Sequence, residues 1–387
     1  MKNKNIYLVL AMILGTIFGM LFKEASIFIK PLGTLFITLM FEIVVPLVFF
    51  TITSSIMKMK KNHQFGKVMK KTVLYFVITS LIATLFMLAV VIFINPVGKF
   101  DIIENAVKLE KLNFLEQVVN AVTVTDFYLL FSKSHMLALI IFAITFGFLS
   151  NDEKFNKAFS NISDILMKLV NIIMIYAPIG IFAYFANIIV DYGAEIIGSY
   201  AKTMILFYIV SIIYFVIVYT IYAYRYNKVY GIKLFYKNIT PSFICSLGTC
   251  SSLASLPTNL KTAENMGIDN NVKDIVLPLG ATVHMEGSCM SSILKIFFLF
   301  TIFNIPFSIF SIVVAVIISI LSGVVMSGIP GGGLIGEMLI VSLYGLPSSA
   351  FAIISTIGWL VDPPATMLNV TGDISTALLI NKDLNKV

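Results

Sequence analysis

Long uncharged stretches recur along this chain and leave few folds open to it. Residues 6–22, 31–57, 73–94, 136–149, 169–190 and 204–224 carry no charge or almost none. About 20 apolar residues cross bilayer hydrocarbon as a helix, so each longer stretch suffices for one span. Hydrophobic residues make up 58% of the chain and charged ones 12%, whereas soluble domains run near 45–50% and about 25%. A water-soluble globular protein is excluded. The strands of an outer-membrane barrel alternate polar and apolar residues, and these stretches do not. The chain reads as an all-α integral membrane protein.

Lys and Arg number 27 against 20 Asp and Glu, a net +7. In a membrane protein such an excess marks cytoplasmic loops rather than a nucleic-acid surface. Lys58, Lys60, Lys61, Lys67, Lys70 and Lys71 follow the second span, and Arg225, Lys228, Lys233 and Lys237 follow the sixth. Even numbers of crossings put both groups on the side of Lys2 and Lys4, which makes the N-terminus cytoplasmic. Lys2 and Lys4 before an apolar run also suggest a signal peptide. The run ends in Phe22, Lys23 and Glu24 without a small-residue cleavage site, so an uncleaved first span is expected. The stretch 99–133 is mixed in character, and interfacial or broken helices are expected there. Cys245, Cys250 and Cys289 have no metal-ligand spacing and read as reduced, structural thiols.

The second half differs in kind. Ser246–Pro257 is crowded with Ser, Gly, Thr and Cys, and 327–333 reads Ser-Gly-Ile-Pro-Gly-Gly-Gly inside a tract that is uncharged from Ile296 to Gly336. Gly weakens a helix, Pro breaks it and Ser competes for its hydrogen bonds. Open backbone at membrane depth survives only beside protein or a water-filled cavity. Two interrupted segments, each followed by a polar-dotted span, are the signature of a transporter with inverted repeats.

Ionisable groups inside apolar segments are functional candidates by default, because charge is costly there. One such segment is 278–288, with His284 and Glu286. The other is 362–373, where Asp362, Thr366, Asn369 and Asp373 follow steps of 4, 3 and 4 and share one helix face. Their oxygens suit an alkali cation or a substrate ammonium. Pro363 and Pro364 predict a helix start or kink. On a helix His284 and Glu286 point roughly 200° apart, so a shared metal is not expected. A membrane-embedded enzyme using them is a rival reading, but no nucleophile–base set accompanies them. No catalytic residue is assigned. His284 keeps a proton-coupling role open.

These segments together resemble the dicarboxylate/amino acid:cation symporter family. Asn369-Val370-Thr371-Gly372-Asp373 matches its NVTGD motif, and His284-Met285-Glu286-Gly287-Ser288 resembles NMDGT, following a matching PLGAT at 278–282. Gly328-Ile329-Pro330-Gly331 resembles the tip of the second re-entrant hairpin, and Ser251, Ser252 and Ser255–Pro257 the serine-rich tip of the first. Pro46–Phe49 and Ala177–Gly180 resemble weaker signatures. The resemblance covers essentially the whole chain.

It implies eight transmembrane helices, two re-entrant hairpins near 236–266 and 305–346, and a homotrimer. Residues 1–67 and 96–198 would form a scaffold, and 68–95 and 199–387 a transport core moving like an elevator. It implies a bacterial inner-membrane symporter without cofactors other than coupling ions. Asp362 would hold the substrate amino group and Asn369 its α-carboxylate, with Ser252, Ser288, Ala365 and Thr366 around them. Ser251, Ile329, Pro330, Gly331 and Gly333 would form the gates. Asp373, Asn369 and Gly280 match one sodium site, and Thr282 and Met285 a second. Thr79 and Ser80 fit a third together with His284 and Glu286, which stand where the family has Asn and Asp. Phe76 there replaces a Tyr, and a proton on Glu286 or His284 is the alternative to sodium.

Acidic-substrate members of that family carry an Arg at the position of Ala365 and a carboxylate at that of Gly358. Both are missing, and the single Arg225 lies in a loop. A buried substrate carboxylate without a cation costs several kcal/mol. A small neutral amino acid is the expected substrate. A dicarboxylate or acidic amino acid with a rearranged site is the runner-up, and a channel or transport-dead sensor is the reading from another class.

Overall fold

A computed structural model describes residues 4–60, 66–97, 119, 123–132, 135–150, 152–192, 195–326, 333–347 and 349–385. Every regular element among them is helical. In chain order these are α1 (Lys4–Leu21), α2 (Lys23–Lys60), α3 (Gly66–Phe93), α4 (Met136–Leu149), α5 (Glu153–Tyr192) and α6 (Glu195–Asn238). A single 3₁₀ turn, Phe127–Phe131, precedes α4. Then follow α7 (Thr240–Thr249), α8 (Ser252–Asn265), α9 (Asn270–Val283), α10 (Glu286–Ile302), α11 (Ile309–Val325), α12 (Gly333–Leu343) and α13 (Ser349–Asn385). Much of the mixed stretch 99–133 lies outside the described residues, as do Ile329, Pro330 and Gly331 of the second tip.

Among the described residues, four stretches are long and apolar enough to cross a membrane, in α3, in α6, across α9–α10 and in α13; α5, bent between its two halves, makes a fifth. The bend in α5 ends a few residues before Pro178, which removes one hydrogen bond and crowds the preceding turn. α6 is interrupted at Asn227 and at Lys228, whose φ is +45°. The chain folds back there: the Thr220 and Tyr236 hydroxyls meet at 2.7 Å.

The apolar and the polar helices sit in different places. α3 and α6 leave Ile, Leu and Val broadly exposed, among them Leu74, Leu85, Ile212 and Val216. Water would penalise such faces, but a hydrocarbon solvent does not. The stretch across α9 and α10 is almost entirely buried, and α13 largely so. α13 packs on α3, α6, α7, α8, α9, α10 and α12. The helices that carry the polar residues therefore occupy the centre of one packing group. A second group forms from α5 against α1 and α2, with α4 on α2. Smaller contacts join the groups, α11 and α12 to α2, α12 to α4, and α5 to α6.

The first serine-rich tract breaks where its composition requires. α7 ends at Cys250, with φ +48°, and Ser251 caps α8 by accepting from the Ala254 N–H at 3.2 Å. The prolines after Asp362 behave differently from the expected helix start. Pro363 and Pro364 lie in the interior of α13, which continues through them. Neighbouring helices enclose α13 on most sides, so packing outweighs the local penalty. The missing N–H groups still leave the carbonyls of Trp359 and Leu360 without helical donors.

Candidate functional site

Two helix termini build the site. α9 ends at Val283, α10 begins at Glu286, and His284 and Met285 between them are extended rather than helical. This break overturns the expectation that His284 and Glu286 point apart. Their side chains converge, with His284 Nε2 3.3 Å from Glu286 Oε1. The reason is local, since the angle argument assumed helical φ/ψ at exactly the residues that abandon it. Among the described residues no group of three or more His, Cys, Asp and Glu has the arrangement of a metal site.

α13 faces this break. Asn369 Oδ1 accepts the backbone N–H groups of Gly287 (2.9 Å) and Ser288 (3.2 Å), two of the unpaired donors at the start of α10. Its Nδ2 donates to Ser288 Oγ at 3.1 Å, which leaves one of its two N–H groups over. A turn later, Asp373 Oδ1 accepts from His284 Nδ1 at 2.8 Å. His284 Nε2 meets Thr79 Oγ1 at 2.7 Å, and the ring stacks on Phe76 with centroids 4.1 Å apart. Ser80 is buried next to Thr79. Three helices, α3, α10 and α13, thus meet on one imidazole.

Glu286 is held from the far side by α6. Its Oε2 accepts from Tyr214 at 2.9 Å and lies 3.0 Å from the Tyr219 hydroxyl, which also reaches the Leu368 carbonyl at 2.7 Å. Both carboxylates keep one buried oxygen without a hydrogen-bond donor, Glu286 Oε1 and Asp373 Oδ2. The Asp373 carboxylate lies directly against Gly280, where a β-carbon would overlap its oxygens. Orphaned oxygen beside a bare backbone is what an alkali cation needs. Thr282 donates back to its own helix, to Leu279 O at 2.8 Å, and Met285 is buried with its sulfur 3.9 Å from Ser288 Oγ.

Gly280→Ala is expected to lower the thermal unfolding midpoint clearly, because overpacking costs roughly 1–3 kcal/mol. Gly248→Ala is the control. Nothing lies within 4 Å of its added carbon, and the midpoint should hold or rise. Differential scanning fluorimetry in detergent reads both.

Asp362 lies two turns before Asn369 on α13 and stays partly exposed, with Thr366 Oγ1 donating to its Oδ1 at 3.3 Å. Ala365 beside it is buried. Ser251 and Ser252 are buried at the start of α8, and Asn259 in α8 docks on α13 by donating to Val370 O at 2.9 Å. Gly333 begins α12.

The sequence reading missed four groups. Lys295 in α10 and Glu337 in α12 are fully buried and paired at 2.7 Å. They bracket the uncharged tract 296–336, and each is a lone charge in an apolar segment, so the signal was available. Tyr214 and Tyr219 had none, because five residues apart they share no helix face. The pair also accounts for Gly358. A β-carbon there would run into Glu337 Oε1 and lie 3.2 Å from Lys295 Nζ. The space beside α13, one turn before Asp362, is already filled by a carboxylate from another helix.

Buried helices with broken ends, central charges and lipid-type outer faces define a polytopic helical membrane protein with an enclosed polar site. Comparison gives the class a name. The profile of the sodium:dicarboxylate symporter family matches residues 5–383, and the chain belongs to that family. It is 26% identical over 390 residues to the proton/glutamate-aspartate symporter of Bacillus subtilis (strain 168), covering 97% of this chain and 93% of that protein. The C4-dicarboxylate transport protein of the same organism is 26% identical, covering 100% and 94%. Human excitatory amino acid transporter 1 is 28% identical over 244 residues, 61% of this chain and 45% of that protein. The chain is a cation-coupled symporter of this family, whose members are transporters.

Proposed function

We propose that this chain carries a small neutral amino acid across the bacterial cell membrane together with a cation, sodium first and a proton as the alternative. The observation that carries the substrate class is the neighbourhood of Asp362. A carboxylate is available for a substrate ammonium, while Ala365 offers no cation for a second substrate carboxylate. Lys295 is the one buried Lys or Arg among the described residues, and Glu337 already holds it at 2.7 Å. Asn369 and Ser288, bonded to each other at the start of α10, present an amide N–H and the helix terminus to an α-carboxylate. Asp373 Oδ2, Gly280 and the Asn369 backbone supply oxygens for the cation.

The two packing groups support a division into a scaffold, 1–67 and 96–198, and a transport core, 68–95 and 199–387, that moves as an elevator. Within it we place eight spans, re-entrant hairpins tipped at Ser251–Ser252 and Ile329–Gly333, a cytoplasmic N-terminus and a homotrimeric assembly in the lipid bilayer. An acidic substrate is the second reading. It is favoured by the relatives, named for glutamate, aspartate and C4-dicarboxylates, and it would require Lys295 to leave Glu337.

A ligand panel separates the readings. Purified protein is heated in sodium or choline chloride with serine, alanine, threonine, aspartate, glutamate or succinate. Stabilisation by a neutral amino acid is expected. Stabilisation by succinate or aspartate alone overturns the neutral reading, and none by any amino acid overturns both amino acid readings. Ala365→Arg is expected to move preference toward aspartate by at least tenfold. Unchanged selectivity in a folded variant removes Ala365 as the selector.

A further inference from the structure

We infer that His284 closes one of the two carboxylate cation sites to sodium, leaving Asp373 as the remaining carboxylate site. This rests on the proposed cation coupling and specifies it. The ring of His284 lies between the two carboxylates, within 2.8 Å of Asp373 Oδ1 and 3.3 Å of Glu286 Oε1. It also takes up the Thr79 hydroxyl at 2.7 Å. A hard monovalent ion at Glu286 would need that hydroxyl, that carboxylate and a further side-chain oxygen as ligands. At this position the chain supplies carbon and nitrogen. Stacking on Phe76 and burial on every side hold the ring in place, so it cannot swing away without opening a cavity between α3, α10 and α13.

Glu286 is occupied from its other side as well. Tyr214 and Tyr219 take Oε2, and the ring edge covers Oε1. At Asp373, Oδ1 is engaged by His284 and Oδ2 is buried without a hydrogen-bond donor; the carboxylate lies against the bare backbone of Gly280, with Oδ1 the nearer oxygen. The donor set around Glu286 does not fit sodium, and that around Asp373 does. His284 is thus a specificity residue for the coupling ion: it sets how many sodium ions travel with each substrate.

The test uses full-length protein in detergent, heated over a sodium chloride series at constant ionic strength with choline, without amino acid. His284→Asn returns an amide oxygen to the site, and its midpoint should rise more steeply with sodium than that of the wild type. Where an amino acid binds, a tenfold rise in sodium should tighten it about tenfold more in His284→Asn than in the wild type, one additional ion by linkage. Glu286→Gln in the wild-type background should keep the wild-type sodium response, and this arm decides if His284→Asn does not fold. A folded His284→Asn with the wild-type response, or a wild-type response lost in Glu286→Gln, overturns the inference. A wild type indifferent to sodium beside a responsive His284→Asn upholds the closed site at Glu286 but overturns the Asp373 half of the inference, and with it the cation site of the proposed function.

Discussion

Asp362→Asn should weaken amino acid binding strongly while leaving the protein folded. The substitution keeps size and shape but removes the charge that an ammonium would meet. Truncating one partner of an enclosed charge pair costs roughly 2–4 kcal/mol, about 30- to 700-fold in affinity. Thr366 remains beside the amide, so some residual affinity at high concentration is expected. Stability should change little, because Asp362 is partly exposed and its one hydrogen bond, 3.3 Å to Thr366, survives in kind. Equilibrium binding of labelled substrate and uptake into proteoliposomes both report the effect. Binding within threefold of wild type would remove Asp362 as the ammonium partner. A C4-dicarboxylate, which has no ammonium, should bind Asp362→Asn no worse than the wild type, so the variant also separates the two substrate readings.

Lys295→Met is expected to be the most destabilising single change in the buried helices. It leaves Glu337 enclosed without its cation, and breaking a buried pair by removing one partner costs roughly 3–5 kcal/mol. Glu337→Gln strands the ammonium and should cost a similar amount. The double variant Lys295→Met/Glu337→Gln should recover much of the loss, since two neutral side chains of similar volume need no desolvated charge. The signature is therefore non-additivity in a double-mutant cycle of unfolding midpoints. Lys71 and Asp383 provide the contrast. They pair at 3.3 Å with side chains 27% and 41% exposed, and an exposed pair is worth about 0–1 kcal/mol. Additive losses at 295 and 337 would show that the two charges are stabilised by other partners.

The two charges also show why the site was only partly legible in the sequence. Asp362, Thr366, Asn369 and Asp373 were readable because α13 is a long regular helix, and steps of 4, 3 and 4 then fix one face. His284 and Glu286 were misread because the same periodicity was applied across a helix break. Pro363 and Pro364 suggested a helix start, but packing of α13 against its neighbours carried the helix through them. Gly358 looked like a simple loss, yet its missing side chain makes room for Glu337, which approaches from more than 20 residues earlier in the chain.

By itself the sequence determined that this is a helical membrane protein, that the serine-rich tract breaks a helix near Cys250, and which segments carry charge into the apolar interior. These are local properties, set by composition, by periodicity and by the backbone preferences of Gly, Pro and Ser. Only the tertiary structure decided which charges meet. Lys295 with Glu337, and His284 with Glu286, Asp373 and Thr79, are contacts between side chains on different elements. In an interior without water each buried charge must find a partner wherever packing brings one, and no rule of spacing along the chain encodes that.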